Sequence, residues 1–339
     1  TRRSSDLQRW NQVAGRVLVY YGRKAGDNWP RTVDVSGLTC PADLCLQGTK
    51  GGRRLGYALA AVGRFNADDR PDLAIAEPWF ASGNASPTLM LGPGRVFIVL
   101  GKAYESGSRS GTFYGSVQAI DEAQGFVVNG DASTLSFGQG LAGIGASDAA
   151  AGDDVVVTAL GKAYVLSGRP YDLAVTKGTT QLGVSDLGAR TADTAAPTGQ
   201  PFAASGDINF GAAVYAVGNA FDVPDAARPG TVDIALWTAR YAGFSVYPGD
   251  TGFAADSFNV SASEAGGVSQ YLSVAGGDLD QDGLSDLVVA ADPLADASMP
   301  RPHIPIRLWY GDRVAAAIAA GQALDGKNAS ELNPAVDSA

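Results

Sequence analysis

Histidine and cysteine are nearly absent from this chain: among 339 residues there is one His, His303, and two Cys, Cys40 and Cys45. That scarcity leaves no zinc motif, no imidazole beside an acid or nucleophile, and no nucleophile-elbow pattern accompanies it. His303 sits between prolines in PRPHIPIR, where a surface or packing role is the ordinary reading. A basic excess is missing too. Lys and Arg total 25 against 35 Asp and Glu, a net charge of −10. No basic stripe exists to displace phosphate counterions, so neither nucleic acid nor membrane insertion is expected. No uninterrupted apolar run approaches the roughly 18 residues of a spanning helix. Alternating helix and strand is also lacking, which argues against a parallel α/β sheet. The one convincing helical stretch is Asp312–Leu324.

Against these absences, the chain is 45% hydrophobic and only 18% charged, enough to bury a large core. All-β folds of this size often form one domain. Its 44 glycines follow no collagen period and suit many tight turns. The acidity reads as solubility or as attraction for cations. Cys40 and Cys45 fall in the short segment CPADLC. Their closeness fits a local disulfide clip in an oxidising compartment, which would pin its loop more than it stabilises the domain. Two free thiols are the alternative. A metal site is disfavoured by the want of further soft ligands.

Four times the chain repeats a Gly, a short loop, an Asp and a strongly apolar strand. The copies are Ala60–Pro78, Ala142–Leu160, Tyr215–Ala239 and Val274–Pro293. Their loop glycines are Gly63, Gly145, Gly218 and Gly277, spaced by 82, 73 and 59 residues, so insertions fall between strands. Upstream of each copy lie two strands, such as FVVNG then FGQGLA (Phe126–Ala142). Downstream comes a closing strand: Gly94–Gly101, Gly161–Gly168, Ala242–Gly249 and Ile306–Gly311. A fifth closing strand, Gly15–Gly22, opens the chain without its partners. Each unit offers about four short strands rich in β-branched and aromatic residues, bounded by Gly, Pro and Asp. Radial repetition of such units leaves only short edges to protect.

The pattern resembles the FG-GAP repeat family, the blades of the integrin alpha-subunit propeller and its bacterial and fungal relatives. Phe137-Gly138 and Phe210-Gly211 match its Phe-Gly signature, and Asp72-Leu73 and Asp286-Leu287 its Asp-Leu pair. Ala76-Glu77-Pro78 and Ala291-Asp292-Pro293 are worn versions of its Gly-Ala-Pro. In the last copy Gln270-Tyr271 replaces Phe-Gly. The resemblance spans Gly15 to Gly311. It implies an all-β β-propeller of four-stranded antiparallel blades, four complete and a partial fifth, in one domain. The expected divisions are a partial blade over 1–43, blades over 44–124, 125–199, 200–256 and 257–311, and a tail over 312–339. A ring of five to seven blades is expected, counting any segment outside this chain. The start at Thr1, without Met or a signal-like stretch, agrees with a processed or trimmed product.

The strongest chemistry lies in the last copy. Asp278, Asp280, Asp282 and Asp286 place side-chain oxygens at loop positions 1, 3, 5 and 9. Gly283 at position 6 permits a sharp turn, and Leu284 at position 7 can offer its carbonyl. This is the logic of an EF-hand loop, shortened and set between strands. Neighbouring unit charges about 4 Å apart repel by about 4 kcal/mol at an effective dielectric of ~20. A divalent cation reverses that sign, and hard oxygens on a flexible loop favour Ca²⁺ over Mg²⁺.

The other loops are weaker. The first aligns Arg64, Asn66, Asp68, Arg70 and Asp72 at positions 1, 3, 5, 7 and 9. Asn66, Asp68, Arg70 and Asp72 form a second, weaker candidate metal loop. Arg64 there opposes a cation and is free to pair with Asp68 or Asp72. The second loop keeps Asp148 and Asp154 but has Ala146 and Ala150 in place of ligands. The third spreads Asp222, Asp225 and Asp233 around Pro224 and Pro229, with no assignable register. The recurring last Asp (Asp72, Asp154, Asp233, Asp286) reads as a cap on backbone amides in every unit.

Several matches read as accidental. Gly138–Gly143 satisfies GxGxxG, but it overlaps a repeated strand and precedes no helix. Asn84, Asn259 and Asn328 begin N-x-S triplets at a frequency close to chance in a chain rich in Ser and Ala. The expectation is therefore a secreted, periplasmic or cell-surface module, braced by Ca²⁺ and binding a protein or glycan; it is not expected to be an enzyme. Recognition is assigned to Trp79–Leu91, Tyr104–Tyr114 and the 189–200 segment, with Trp29, Trp79, Trp237 and Trp309 as candidate stacking surfaces. The alternatives are a structural subunit of a larger surface assembly, with a partner subunit completing or flanking the propeller, and then a polysaccharide lyase or hydrolase. For the latter the sequence nominates no acid–base pair.

Overall fold

Left-handed glycines divide the chain into sheets. In the computed structural model, Phe137 is fully buried and its N–H donates to Pro93 O at 3.2 Å, holding it to the strand pair behind it. Gly138 then turns with φ 91°, and its N–H donates to Thr158 O at 2.9 Å, in the next sheet. Leu55-Gly56 and Phe210-Gly211 repeat the corner, with φ of 82° and 75°. A β-carbon suffers at such φ values, so Gly is the natural occupant. The apolar residue stays with one sheet while the glycine starts another.

The structure describes residues 14–20, 32, 42, 44–48, 52–79, 92–101, 112–114, 125–146, 152–168, 181–183, 203–204, 210–220, 232–238, 243–247, 249, 258–260, 268–293, 306–320, 324 and 330–332. These form five sheets. The first holds Arg16–Val19, Leu44–Gln47 and Thr112–Tyr114. The second runs Leu59–Ala61, Leu73–Glu77, Arg95–Val99, Gly125–Asn129, Gln181–Gly183 in that order. The third is Leu141–Gly145, Asp154–Ala159, Lys162–Leu166, Ala203–Ala204. The fourth is Val214–Gly218, Asp233–Thr238, Gly243–Tyr247, Phe258–Val260, and the fifth Val268–Gly277, Asp286–Pro293, Ile306–Trp309, Ser330–Leu332. Neighbouring strands are antiparallel except for Thr112–Tyr114 and Gln181–Gly183, which pair parallel with Leu44–Gln47 and Gly125–Asn129.

Period-two alternation stacks these sheets face to face. Ile75 and Phe97 pack with Val17 and Leu46 of the first sheet, while Ala74, Ala76, Val96 and Ile98 pack with Val155 and Val157 of the third. Val156 turns the other way, onto Ile234 and Leu236 of the fourth. Ala235 and Phe244 then meet Val289 and Trp309 of the fifth. A strand covered on both faces needs no polar side, which is why Asp154–Ala159 is buried along its whole length. The first strands of the second to fifth sheets lie side by side in chain order, 59–61 against 141–145, then 214–218, then 268–277.

Sheet boundaries depart from the repeat boundaries read in the sequence. Leu44–Gln47, Gly125–Asn129, Ala203–Ala204 and Phe258–Val260 were grouped with the unit that follows them. Each instead pairs with the closing strand before it. The divisions drawn at 44–124, 125–199, 200–256 and 257–311 are therefore offset by one strand from the sheets, and at the second, third and fourth sheets the break falls at the left-handed corner. The 312–339 tail is not merely a tail: Ser330–Leu332 pairs with Ile306–Trp309 as the outer strand of the fifth sheet. Where Phe-Gly gives way to Gln270-Tyr271 no corner forms, and the first strand of the fifth sheet runs ten residues. The helix spans Gly311–Ala319, shorter than Asp312–Leu324, since Gly321 disfavours its continuation. Val314 and Ala317 lie buried on one face, and Asp312 occupies the first turn, where a carboxylate favours the helix dipole. Among the described residues no helix is long and apolar enough to cross a membrane.

Candidate metal centre

Each Asp that ends a loop is an anchor, and all four are buried. Asp286 Oδ2 accepts from Leu279 N–H at 2.7 Å, and its Oδ1 from Gly311 N–H at 2.8 Å. Asp233 accepts from Ala220 and Gly249, at 2.7 and 2.9 Å. Asp72 accepts from Asn66 and Gly101, at 3.1 and 2.7 Å, and Asp154 from Gly168 at 2.7 Å. One carboxylate thus ties its own loop to the glycine that ends the closing strand. The capping half of this role was legible in the sequence. The second half was missed, though the recurring Gly101, Gly168, Gly249 and Gly311 were the available signal. A β-carbon on Gly101, Gly168 or Gly249 would collide with the carbonyl of the residue just before the anchoring Asp. Burial pushes the Asp72 carboxyl up, against the Gly101 and Asn66 amides that pull it down.

On this anchor the last loop gathers its acids. Asp278, Asp280 and Asp282 are exposed, and one oxygen from each lies within 4.8 Å of the others. Backbone amides fold the loop inward: Asp282 N–H donates to Asp278 Oδ1 at 3.1 Å and Asp280 Oδ1 at 3.3 Å. Gly283 N–H reaches Asp278 Oδ2 at 3.1 Å, and Leu284 N–H reaches Asp282 Oδ1 at 2.8 Å. Gln281 and Gly283 are left-handed, with φ of 66° and 92°. Partial desolvation, together with the charges of Asp282, Asp286 and Asp278, holds the Asp280 carboxyl above its ordinary range. Three hard oxygen donors converging on open solvent fit a divalent cation. Asp286, the fourth acid of the sequence reading, stands apart from this trio and faces the two amides. Leu284 contributes its N–H within the loop.

The first loop shares the left-handed position four, Ala67 at φ 63°, and has a different electrostatic solution. Asn66 Nδ2 donates to Asp68 Oδ2 at 2.9 Å, and Asp68 and Arg70 N–H donate to Asn66 and Asp68 at 3.2 and 2.7 Å. The guanidinium beside the acids is that of Arg70, 3.9 Å from Asp68 Oδ2 and 3.7 Å from Asp69 Oδ1. Arg64, the partner suggested by the sequence, is exposed, and its backbone N–H donates to Asp153 Oδ2 of the next sheet at 2.7 Å. Asp68 already has a cation.

Of the remaining residues, Asp148, Ala150, Asp222, Asp225, His303, Trp29 and the segments 80–91, 104–111 and 189–200 lie outside the described residues. Trp309 is fully buried, and Trp237 packs against the core. Cys45 is buried in Leu44–Gln47 with the Arg16 guanidinium 3.8 Å from its Sγ, while Cys40 lies outside the described residues. Neither a family model nor a curated protein matches the chain.

Proposed function

We propose that the chain is a β-propeller of the FG-GAP type, closed into a ring with any further blades, that binds Ca²⁺ at Asp278, Asp280 and Asp282 and presents its surface to a protein or glycan outside the cytoplasm. The observation that carries the reading is the convergence of three exposed carboxylates, none of which forms an ion pair among the described residues. Left alone, they repel. An ion bound there would draw positions 1, 3 and 5 together over an anchor that already holds Leu279 and Gly311. The bracing would extend to the neighbouring sheet, since Ser285 N–H donates to Asn219 O at 2.6 Å. In this reading the Cys40–Cys45 pair is a disulfide, as suits an oxidising compartment.

Binding only to the folded state stabilises it, by about 2.7 kcal/mol at a cation concentration about a hundredfold above Kd. Thermal melts of the intact chain in Ca²⁺ and in chelator test the reading. The melting temperature should fall with chelator, and Asp280→Ala should abolish most of that difference. Identical melts in both buffers would remove the ion from the account.

A further inference from the structure

One strand position is covered in three sheets and open in a fourth. Leu59 pairs with Ile75, Leu141 with Val157, Val214 with Leu236 and Val274 with Val289. Each partner stands three residues beyond its anchoring Asp. Leu141 and Val214 are 7% exposed and Val274 4%, but Leu59 is 51% exposed. Each buried residue lies against the sheet before its own. Leu141 packs in the cluster of Ala74 and Ala76, Val214 in that of Ala142 and Val156, and Val274 in that of Val217 and Ala235. The sheet before Leu59 is the first, where Arg16–Val19 is the last strand on that side among the described residues. Leu59 thus faces the place that an Asp-led strand takes in the other three stacks.

The chain outside the described residues carries a sequence that matches such a strand. Residues 6–22 and 233–249 coincide at five places with identical separations: Asp6 with Asp233, Trp10 with Trp237, Val19 with Val246, Tyr20 with Tyr247, and Gly22 with Gly249. Leu7 answers Ile234, and Asp6 is the only Asp among residues 1–14. In the fourth sheet this sequence folds as a hairpin, with Ile234 opposite Tyr247 and Trp237 opposite Phe244. Asp233 accepts from Gly249 N–H at 2.9 Å, and Trp237 packs on the cluster that holds Val274, the counterpart of Leu59. Carried to the first sheet, that register sets Leu7 opposite Tyr20 and Trp10 opposite Val17. Directly opposed residues share a face. Val17 is buried against Ile75, so position 10 falls on the side where Leu59 is open. Gly15 turns left-handed at φ 83° before Arg16, as Gly161 does at 72° in the hairpin joining Asp154–Ala159 to Lys162–Leu166.

We propose that residues 6–11 of this chain dock as an extended strand on the edge of Arg16–Val19 away from Leu44–Gln47, with Asp6 accepting from Gly22 N–H and Trp10 laid over Leu59. A sheet edge offers a row of backbone N–H and C=O groups to an added strand. Tryptophan brings a large apolar area to a place where the other sheets bury a Leu or Val. Residues 12–15 make a connection of ordinary hairpin length, so the segment meets this edge at a high effective concentration. That tether favours it over a second copy or a separate protein. Neither calcium nor a ligand enters this inference.

Thiol labelling of the intact chain tests this, with modified peptides mapped by mass so that Cys40 and Cys45 are counted apart. Leu279→Cys, at a side chain 60% exposed, is the open reference. Leu59→Cys should react at least about tenfold more slowly than that reference, and adding Trp10→Ala should restore the reference rate. Hydrogen exchange supplies a measurement without any substitution: amides of residues 7–10 should exchange at least about tenfold more slowly than those of residues 2–5. Uniformly fast exchange over residues 2–10 would overturn the proposal. So would equal labelling of Leu59→Cys and Leu279→Cys, which would leave the edge to a strand from another protein. Protection of Leu59→Cys that survives Trp10→Ala would also overturn it, and its growth with protein concentration would assign the edge to a second copy.

Discussion

Gly63–Asp72 and Gly277–Asp286 share much of one backbone turn and come to different ends. Position four is left-handed in both, Ala67 at φ 63° and Gln281 at φ 66°. Position five donates its N–H to position three in both, at 3.2 and 3.3 Å. Position nine is the same buried anchor. Differences begin with the side chains. Position two is Phe65, fully buried with its ring 6.0 Å from Phe126, or Leu279, 60% exposed. Positions three and seven are Asn66 and Arg70 in one, Asp280 and Leu284 in the other. Asp153 of the third sheet bears on Gly63, whereas a β-carbon on Gly277 would meet nothing within 4 Å. The first loop is tied into the row of sheets and carries its own cation; in the last, Asp278, Asp280 and Asp282 have no ion pair among the described residues. The backbones agree at positions four, five and nine but part at position six, where Gly283 is left-handed at φ 92° and Asp69 is not, so charge neutralisation here is set by side chains, neighbours and that one turn.

The largest expected effect separates the loops at position two. Phe65→Ala empties a buried site and should cost about 3–5 kcal/mol, while Leu279→Ala should stay within about 0.5 kcal/mol. Denaturant titrations of both variants measure this. Equal losses would mean that Leu279 is packed as Phe65 is, and the contrast would collapse.

The next effect should be common to both loops. Asp72→Ala and Asp286→Ala each strip two backbone N–H groups of a buried carboxylate and should each cost about 2–4 kcal/mol. Both losses should persist in chelator, because the anchor works without an ion. If the Asp286→Ala loss vanished in chelator while that of Asp72→Ala remained, Asp286 would be acting through the metal.

Local chemistry made much of this legible. Apolar alternation gave the strands, the Asp-Leu recurrence gave the anchor, and the spacing of Asp278, Asp280 and Asp282 brought together oxygens that do converge. What escaped was set by partners distant in sequence. Nothing in FVVN says that Gly125–Asn129 pairs backward with Arg95–Val99. SEL is too short and polar to advertise a strand, yet Ser330–Leu332 finds an edge at Ile306–Trp309. Loop position nominated Arg64 to neutralise Asp68, but the backbone turn at Ala67 brings Arg70 round instead. Trp79 looked like the start of an insertion, and its meeting with Arg54 and Tyr57 required the corner's geometry.

If side chains and the position-six turn divide the two loops, the first can be converted. Arg64→Asp, Asn66→Asp, Asp69→Gly and Arg70→Leu install the last loop's residues at positions one, three, six and seven. Asp153 must change with them, since its carboxylate on the Arg64 N–H would repel the new Asp. Asp153→Ser suits the site because Ser285 fills the matching place, on Gly218 and Asn219. The fivefold variant should bind one more Ca²⁺ than the parent by calorimetry. At a cation concentration about tenfold above Kd it should gain a further ~1.4 kcal/mol. That gain is smaller than the packing and anchor effects because a chelate adds only what free ion and affinity supply. A folded variant with unchanged stoichiometry would place the difference in the neighbours: the openness around Gly277, rather than the count of carboxylates, would then decide which loop takes an ion.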